Sequence, residues 1–202
     1  VLGVTSIAGG AGTQPLLLAQ PVGRGEVLSG KLIGLGAALT VAQLVGFGGG
    51  GLIVALQAGG GEVNGFLALT GLSIALGWLS ISTSLCIAVI WPDRLKAMWA
   101  ALLMWLLMVV AYDLVVLGAA AILRGLPLQS VLLPALMINP VDLARVLTTM
   151  AVGSGALFGP TSAVLMRSLG TQWGITLGLA VLLVECVTPM VIAMRVFRRR
   201  DW

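Results

Sequence analysis

The sequence predicts an all-α polytopic membrane protein, and three observations lead there. Of its 202 residues, 59% are hydrophobic and only 9% are charged. Soluble globular chains carry about 25% charged residues, so the deficit is what solvation by lipid demands. Eight of the eleven basic residues fall in three clusters: Arg24/Lys31, Arg94/Lys96 and Arg195/Arg198/Arg199/Arg200. Between them lie long uncharged apolar runs. No charge occurs between Lys31 and Glu62 or between Glu62 and Asp93, and Asp113 is the only one from Ala97 to Leu123. Each run exceeds the roughly 20 residues that cross a bilayer core of about 30 Å.

The expected elements follow in order. The chain opens at Val1 in mid-apolar sequence, so residues 1–12 read as the end of a truncated span. Residues 13–31 are mixed polar and apolar, with Pro15-Leu16-Leu17-Leu18 and Val27-Leu28 suited to a short interfacial helix. Three spans fill residues 32–123, at about Leu32–Leu56, Gly65–Ile90 and Ala97–Leu123. Gly59-Gly60-Gly61-Glu62 is a turn, and Trp91-Pro92-Asp93-Arg94-Leu95-Lys96 is a charged loop with Trp91 and Trp99 at the interface. Leu126–Ile138 is too short to span, and Pro134 is expected to break it. Asn139-Pro140-Val141-Asp142 is a helix start, with Asn as N-cap, Pro at the first position and an acid in the first turn. The last span occupies residues 173–195, and 196–202 form a basic tail.

Orientation decides the ambiguous stretch. Val146–Met166 is uncharged and long enough to cross, yet holds Gly153, Gly155, Gly159 and Pro160. With Arg24/Lys31 in the cytoplasm, three spans return Arg94/Lys96 there and leave Arg124 outside. If Val146–Met166 does not cross, Arg195–Arg200 also end in the cytoplasm, as the positive-inside rule requires. Residues 124–172 are therefore expected to be an external or re-entrant helical segment. The basic residues then divide eight inside to three outside (Arg124, Arg145 and Arg167). The fold is thus four complete transmembrane helices plus the end of a truncated one, with a non-spanning segment between the last two spans.

Several chemistries are excluded or weakened. The chain has no histidine, the commonest general base and metal ligand. Cys86 and Cys186 lie in apolar runs without metal-ligand spacing and read as packing residues. Met104/Met108 and Met190/Met194 are spaced i,i+4, but neither pair has a Cys or His beside it, so core packing is the expectation over Cu(I) binding. The basic residues are few and lie at helix ends, which argues against nucleic acid. Gly48–Gly51 lies in a span with no following Lys-Ser/Thr and is not a phosphate loop. Gly30/Gly34, Gly46/Gly50 and Gly170/Gly174/Gly178 are spaced for close helix packing.

Asp113 and Glu185 fall near the middle of predicted spans, where an ionisable residue is a functional candidate. No Lys or Arg lies inside a span to pair with either, so each is expected to be protonated or to face a hydrated or polar interior. Two roles stay open: a polar lining of a translocation or conformational pathway, or a hydrogen bond to Ser80, Ser82, Thr83, Ser84, Thr40 or Gln43.

The stretch Thr13-Gln14-Pro15-Leu16-Leu17-Leu18-Ala19-Gln20-Pro21-Val22-Gly23-Arg24-Gly25-Glu26-Val27-Leu28-Ser29-Gly30-Lys31 resembles the cytoplasmic loop of exporter-type ABC permeases. Tyr112-Asp113-Leu114-Val115, then Met137 through Val146, then Val196-Phe197-Arg198-Arg199-Arg200, resemble NosY-type permeases. The similarity runs from about Ile7 to the end. It departs at Gly9-Gly10-Ala11, where members usually carry acids, and lacks the family's first span and most of its second.

The resemblance implies a bacterial inner-membrane, multi-pass permease subunit with no ATPase activity or bound cofactor of its own. ATP and Mg would belong to a cytoplasmic NosF-like ABC ATPase. The other partners implied are a periplasmic NosD-like β-helix protein, a second copy of the chain in a homodimer, and the lipid membrane. The output implied is maturation of the copper-sulfur sites of nitrous oxide reductase. The implied ATPase-coupling residues are Leu17, Leu18, Pro21, Arg24, Glu26 and Lys31, with Val27 and Leu28 as further apolar anchors; Asn139, Pro140, Asp142 and Arg145 form the external motif. The alternatives are a generic exporter-type permease for another substrate, or an intramembrane channel or enzyme; the latter lacks His, paired acids in a shared motif, and a filter or charge ring.

Overall fold

The computed structural model describes residues 3–5, 24–58, 63–91, 93–122, 128–152 and 172–199, and among these it holds only helices, their caps and turns. Helix α1 (Arg24–Gln43) passes through a π-helical turn (Leu44–Gly48) into α2 (Gly49–Ala58). Helix α3 is Val63–Ile90. Helix α4 (Arg94–Leu106) passes through a second π-turn (Leu107–Ala111) into α5 (Tyr112–Ile122). Then come α6 (Leu128–Ile138), α7 (Pro140–Val152) and α8 (Gln172–Arg199). Among the described residues, four helical stretches are long and apolar enough to cross a membrane: Gly25–Gln57, Gly65–Ile90, Arg94–Val116 and Trp173–Phe197. They match the four expected spans.

Three expectations about elements are corrected. The first span helix begins at Arg24, so residues 24–31 are its opening turns and not a separate connector. The reason is the apolar stripe Leu28, Leu32, Leu35, Leu39, which carries one helical face unbroken into the span. Leu28 is therefore a core residue, 2% exposed, and is not available as an anchor for a partner. Pro134 does not end its helix, since α6 runs on to Ile138. A proline there removes one backbone donor and leaves the other turns intact.

The chain divides into two units. The first comprises Val1–Val41, Gly77–Trp105 and Glu185–Trp202. Its core joins Val4, Leu28, Ile81, Leu85, Val89, Ala97 and Ala193. Here α1 and α3 run antiparallel. Trp78 Nε1 donates to Thr40 Oγ1 at 3.0 Å, and the indole covers Gly36 so closely that a Cβ would lie 2.6 Å from the ring. By contrast α3 and α8 run in the same direction. Ser82 Oγ donates to the Cys186 carbonyl at 3.2 Å, and further along both helices Ala88 and Val89 share a cluster with Ala193, Val196 and Phe197. Pro189, inside α8, lacks the N–H that would bond the Glu185 carbonyl, and the Ser82 hydroxyl serves the carbonyl next to that break. Cys86 and Cys186 are not joined in a disulfide.

The second unit comprises Ala42–Leu76 and Leu106–Val184. Gln43 Nε2 donates to the Ser73 carbonyl at 2.9 Å, and Phe66 lies against Gly51. Its core joins Leu72, Leu136, Leu143, Ala144, Leu147 and Leu182, with Gly178 letting α8 approach Leu143 and Leu147 of α7. Gly30, Gly34, Gly46 and Gly50 have nothing within 4 Å of an added Cβ, so within the described residues their spacing serves no close helix contact.

Candidate functional site

The polar centre of the second unit is built where α7 begins. Asn139 is fully buried. Its Oδ1 accepts the Val141 N–H at 3.0 Å and its carbonyl accepts the Leu143 N–H at 3.0 Å, so it caps α7 as the sequence predicts. Pro140 takes the first helical position, where its missing N–H costs nothing, and Asp142 lies in the first turn. The Asn139 amide nitrogen does more than capping requires. It donates to the Met108 carbonyl at 2.7 Å and to Asp142 Oδ2 at 3.2 Å. Met108 belongs to the π-turn, whose altered bonding pattern leaves a carbonyl to be served from outside. Beside it the Tyr112 hydroxyl donates to the Ala135 carbonyl, tying α5 to α6.

One cation faces two acids here. Arg145 Nη1 donates to Asp113 Oδ2 at 2.8 Å and lies 3.2 Å from Asp142 Oδ1. The second approach is an ion pair without hydrogen-bond alignment, so Asp142 Oδ1 is buried and without a hydrogen-bond donor among the described residues. Burial, then the hydrogen bond and negative charge of the Asp113 carboxylate, push Asp142 up to about 6, against the opposing pull of Arg145 and Asn139. The hydrogen bond to Asp113 in turn holds the Arg145 guanidinium above its ordinary range.

The expectation that Asp113 has no cationic partner is therefore corrected. It lies one turn from the end of the Arg94–Val116 span and pairs with Arg145 of the segment that follows. Charges 32 residues apart become neighbours because α6 and α7 fold back against the π-turn and α5. The intramembrane candidate and the external motif are one site.

Glu185 is separate, in the first unit. Its Oε2 is buried without a hydrogen-bond partner among the described residues. Four of the hydroxyls expected to serve it or Asp113 are turned elsewhere: Thr40 to Gly36, Ser82 to Leu79 and Cys186, Thr83 to Leu79 and Ser80, and Ser84 to Ile81. Of the coupling residues, Leu17, Leu18 and Pro21 lie outside the described residues. Arg24 opens α1, Glu26 is exposed in its first turn, and Lys31 is half-buried.

The Stutzerimonas stutzeri "Probable ABC transporter permease protein NosY" is 32% identical over 197 residues, covering 94% of this chain and 69% of the relative. The Pseudomonas aeruginosa protein of the same name is 31% identical over 169 residues, covering 80% of this chain and 61% of the relative. The pattern of the ABC-2 family transporter protein matches residues 1–202, the full length of four apolar spans and the α6–α7 segment between the last two. The chain belongs to the ABC-2 transporter family.

Proposed function

We propose that this chain is the transmembrane subunit that converts ATP hydrolysis by a separate cytoplasmic ATPase into work across the bacterial inner membrane, in the service of maturing the copper-sulfur sites of nitrous oxide reductase. The observation that carries the mechanical part is the tie between α7 and the third span. Arg145 and Asn139 of the non-spanning segment grip Asp113 and the Met108 carbonyl, so a tilt of that span is delivered to α7. The parallel course of α3 and α8 supports the orientation. Two parallel spans cross the bilayer in the same direction, so Arg94/Lys96 after α3 and Arg195 near the end of α8 emerge on one side. That requires residues 124–172 to begin and end on the opposite side. The reductase role rests on the similarity to the two NosY permeases. ATP and Mg are held by the ATPase, and two copies of the chain with a periplasmic β-helix protein complete the assembly.

The drive enters through residues 13–31. Changing Leu17 and Leu18 to Ala together weakens ATPase binding by about 30-fold, the loss of about 2 kcal/mol usual for a central apolar anchor. Co-purification of the ATPase with the full-length permease and stimulated ATP hydrolysis measure it. Normal binding and stimulation in the variant leave residues 13–23 a plain interfacial connector ahead of the first span helix. Intact coupling with a fully copper-loaded reductase in a strain lacking the permease assigns the chain to another cargo.

A further inference from the structure

Among the described residues, Asp142, Asp113 and Arg145 present an unequal charge count at one place: two carboxylates for one guanidinium, on two different elements. The groups facing Asp142 are Asp113 and Tyr112 from α5, Arg145 from its own helix, and the Asn139 amide at the cap. Arg145 donates to Asp113 and only pairs by charge with Asp142, whose Oδ1 is buried without a donor among the described residues. With one proton on the carboxyl pair, the three groups are neutral together. With both acids ionised, the site holds a net negative charge, and like charges face each other across the α5–α7 contact.

We propose that this trio is a proton-operated clasp between the third span and the non-spanning segment, closed when the carboxyl pair shares a proton and loosened when both acids ionise. The direction follows from linkage. Asp142 is raised from 3.8 to about 6, so the folded arrangement takes up a proton that the open chain does not hold. The stabilisation is full below about pH 4 and is lost as pH rises through about 6. Where the topology proposed above holds, the clasp responds to pH outside the cytoplasm, and it regulates the step that moves α7; only this placement rests on the transporter reading.

Hydrogen exchange of the permease in neutral detergent, without ATPase, tests the clasp by itself. Protection of the α7 amides, corrected for intrinsic exchange rate, falls about tenfold between pH 5 and pH 8, while that of α3 stays constant. Asp142→Asn, which keeps the size and the acceptor for Asn139, retains the pH 5 protection at both values. Arg145→Gln moves the midpoint to higher pH, because the cation opposing Asp142 protonation is gone. A wild-type α7 with equal protection at both pH values overturns the proposal. So does a pH response that survives in Asp142→Asn, or an unmoved midpoint in Arg145→Gln. None of these outcomes depends on ATPase binding, so the clasp and the transporter reading fail separately.

Discussion

At the residue scale, Asn139 and Arg145 hold α7 to the third span. Asn139 is buried and serves both the start of α7 and the Met108 carbonyl. Asn139→Ala loses the cap and strands that carbonyl, and costs about 2 kcal/mol. Asn139→Asp keeps the capping oxygen but sets a second carboxylate against Asp142 and removes the donor, so it does not restore stability. Arg145→Gln destabilises more than Asp113→Asn, because it leaves two facing carboxylates. The Asp113–Arg145 pair is partly exposed, at 33% and 44%, so Asp113→Asn costs no more than about 1 kcal/mol. Thermal unfolding followed by tryptophan fluorescence in detergent ranks these four variants. The cap was legible because Asn-Pro-x-Asp encodes it within four residues. The Asp113–Arg145 pair was not, because opposite charges 32 residues apart carry no local sign of meeting.

At the element scale, glycine separates what spacing implies from what packing needs. Gly36 belongs to no noted glycine repeat, yet Trp78 covers it. Gly36→Ala displaces the indole and its bond to Thr40, at a cost of about 1–3 kcal/mol, whereas Gly34→Ala meets nothing within 4 Å among the described residues and does not lower the unfolding midpoint, since Ala favours the helix. Parallel unfolding measurements of the two variants decide it. Element positions were readable from the length of apolar runs holding at most one charge, which is why all four spans fall where expected. Element starts were not. The polar residues Arg24, Glu26 and Lys31 masked a helical face that Leu28 already joins to the core. The second π-turn carries no compositional mark in Leu107–Ala111, and only the Asn139 bond to its Met108 carbonyl reveals its part in the site.

At the scale of the whole molecule, everything depends on which ends of the helices share a side of the membrane. The basic clusters argued for one cytoplasmic face by charge count; the parallel packing of α3 and α8 supports it by geometry. If both hold, α7 is presented on the far side, where Arg145 joins it to the third span and the clasp feels external pH. Single-cysteine labelling in intact spheroplasts, in a background with Cys86 and Cys186 replaced by Ala, tests this most directly. A membrane-impermeant maleimide labels Arg145→Cys in intact cells, and labels Arg94→Cys and Arg198→Cys only after lysis. Labelling of Arg198→Cys in intact cells means that Val146–Met166 crosses the bilayer, and it contradicts the account.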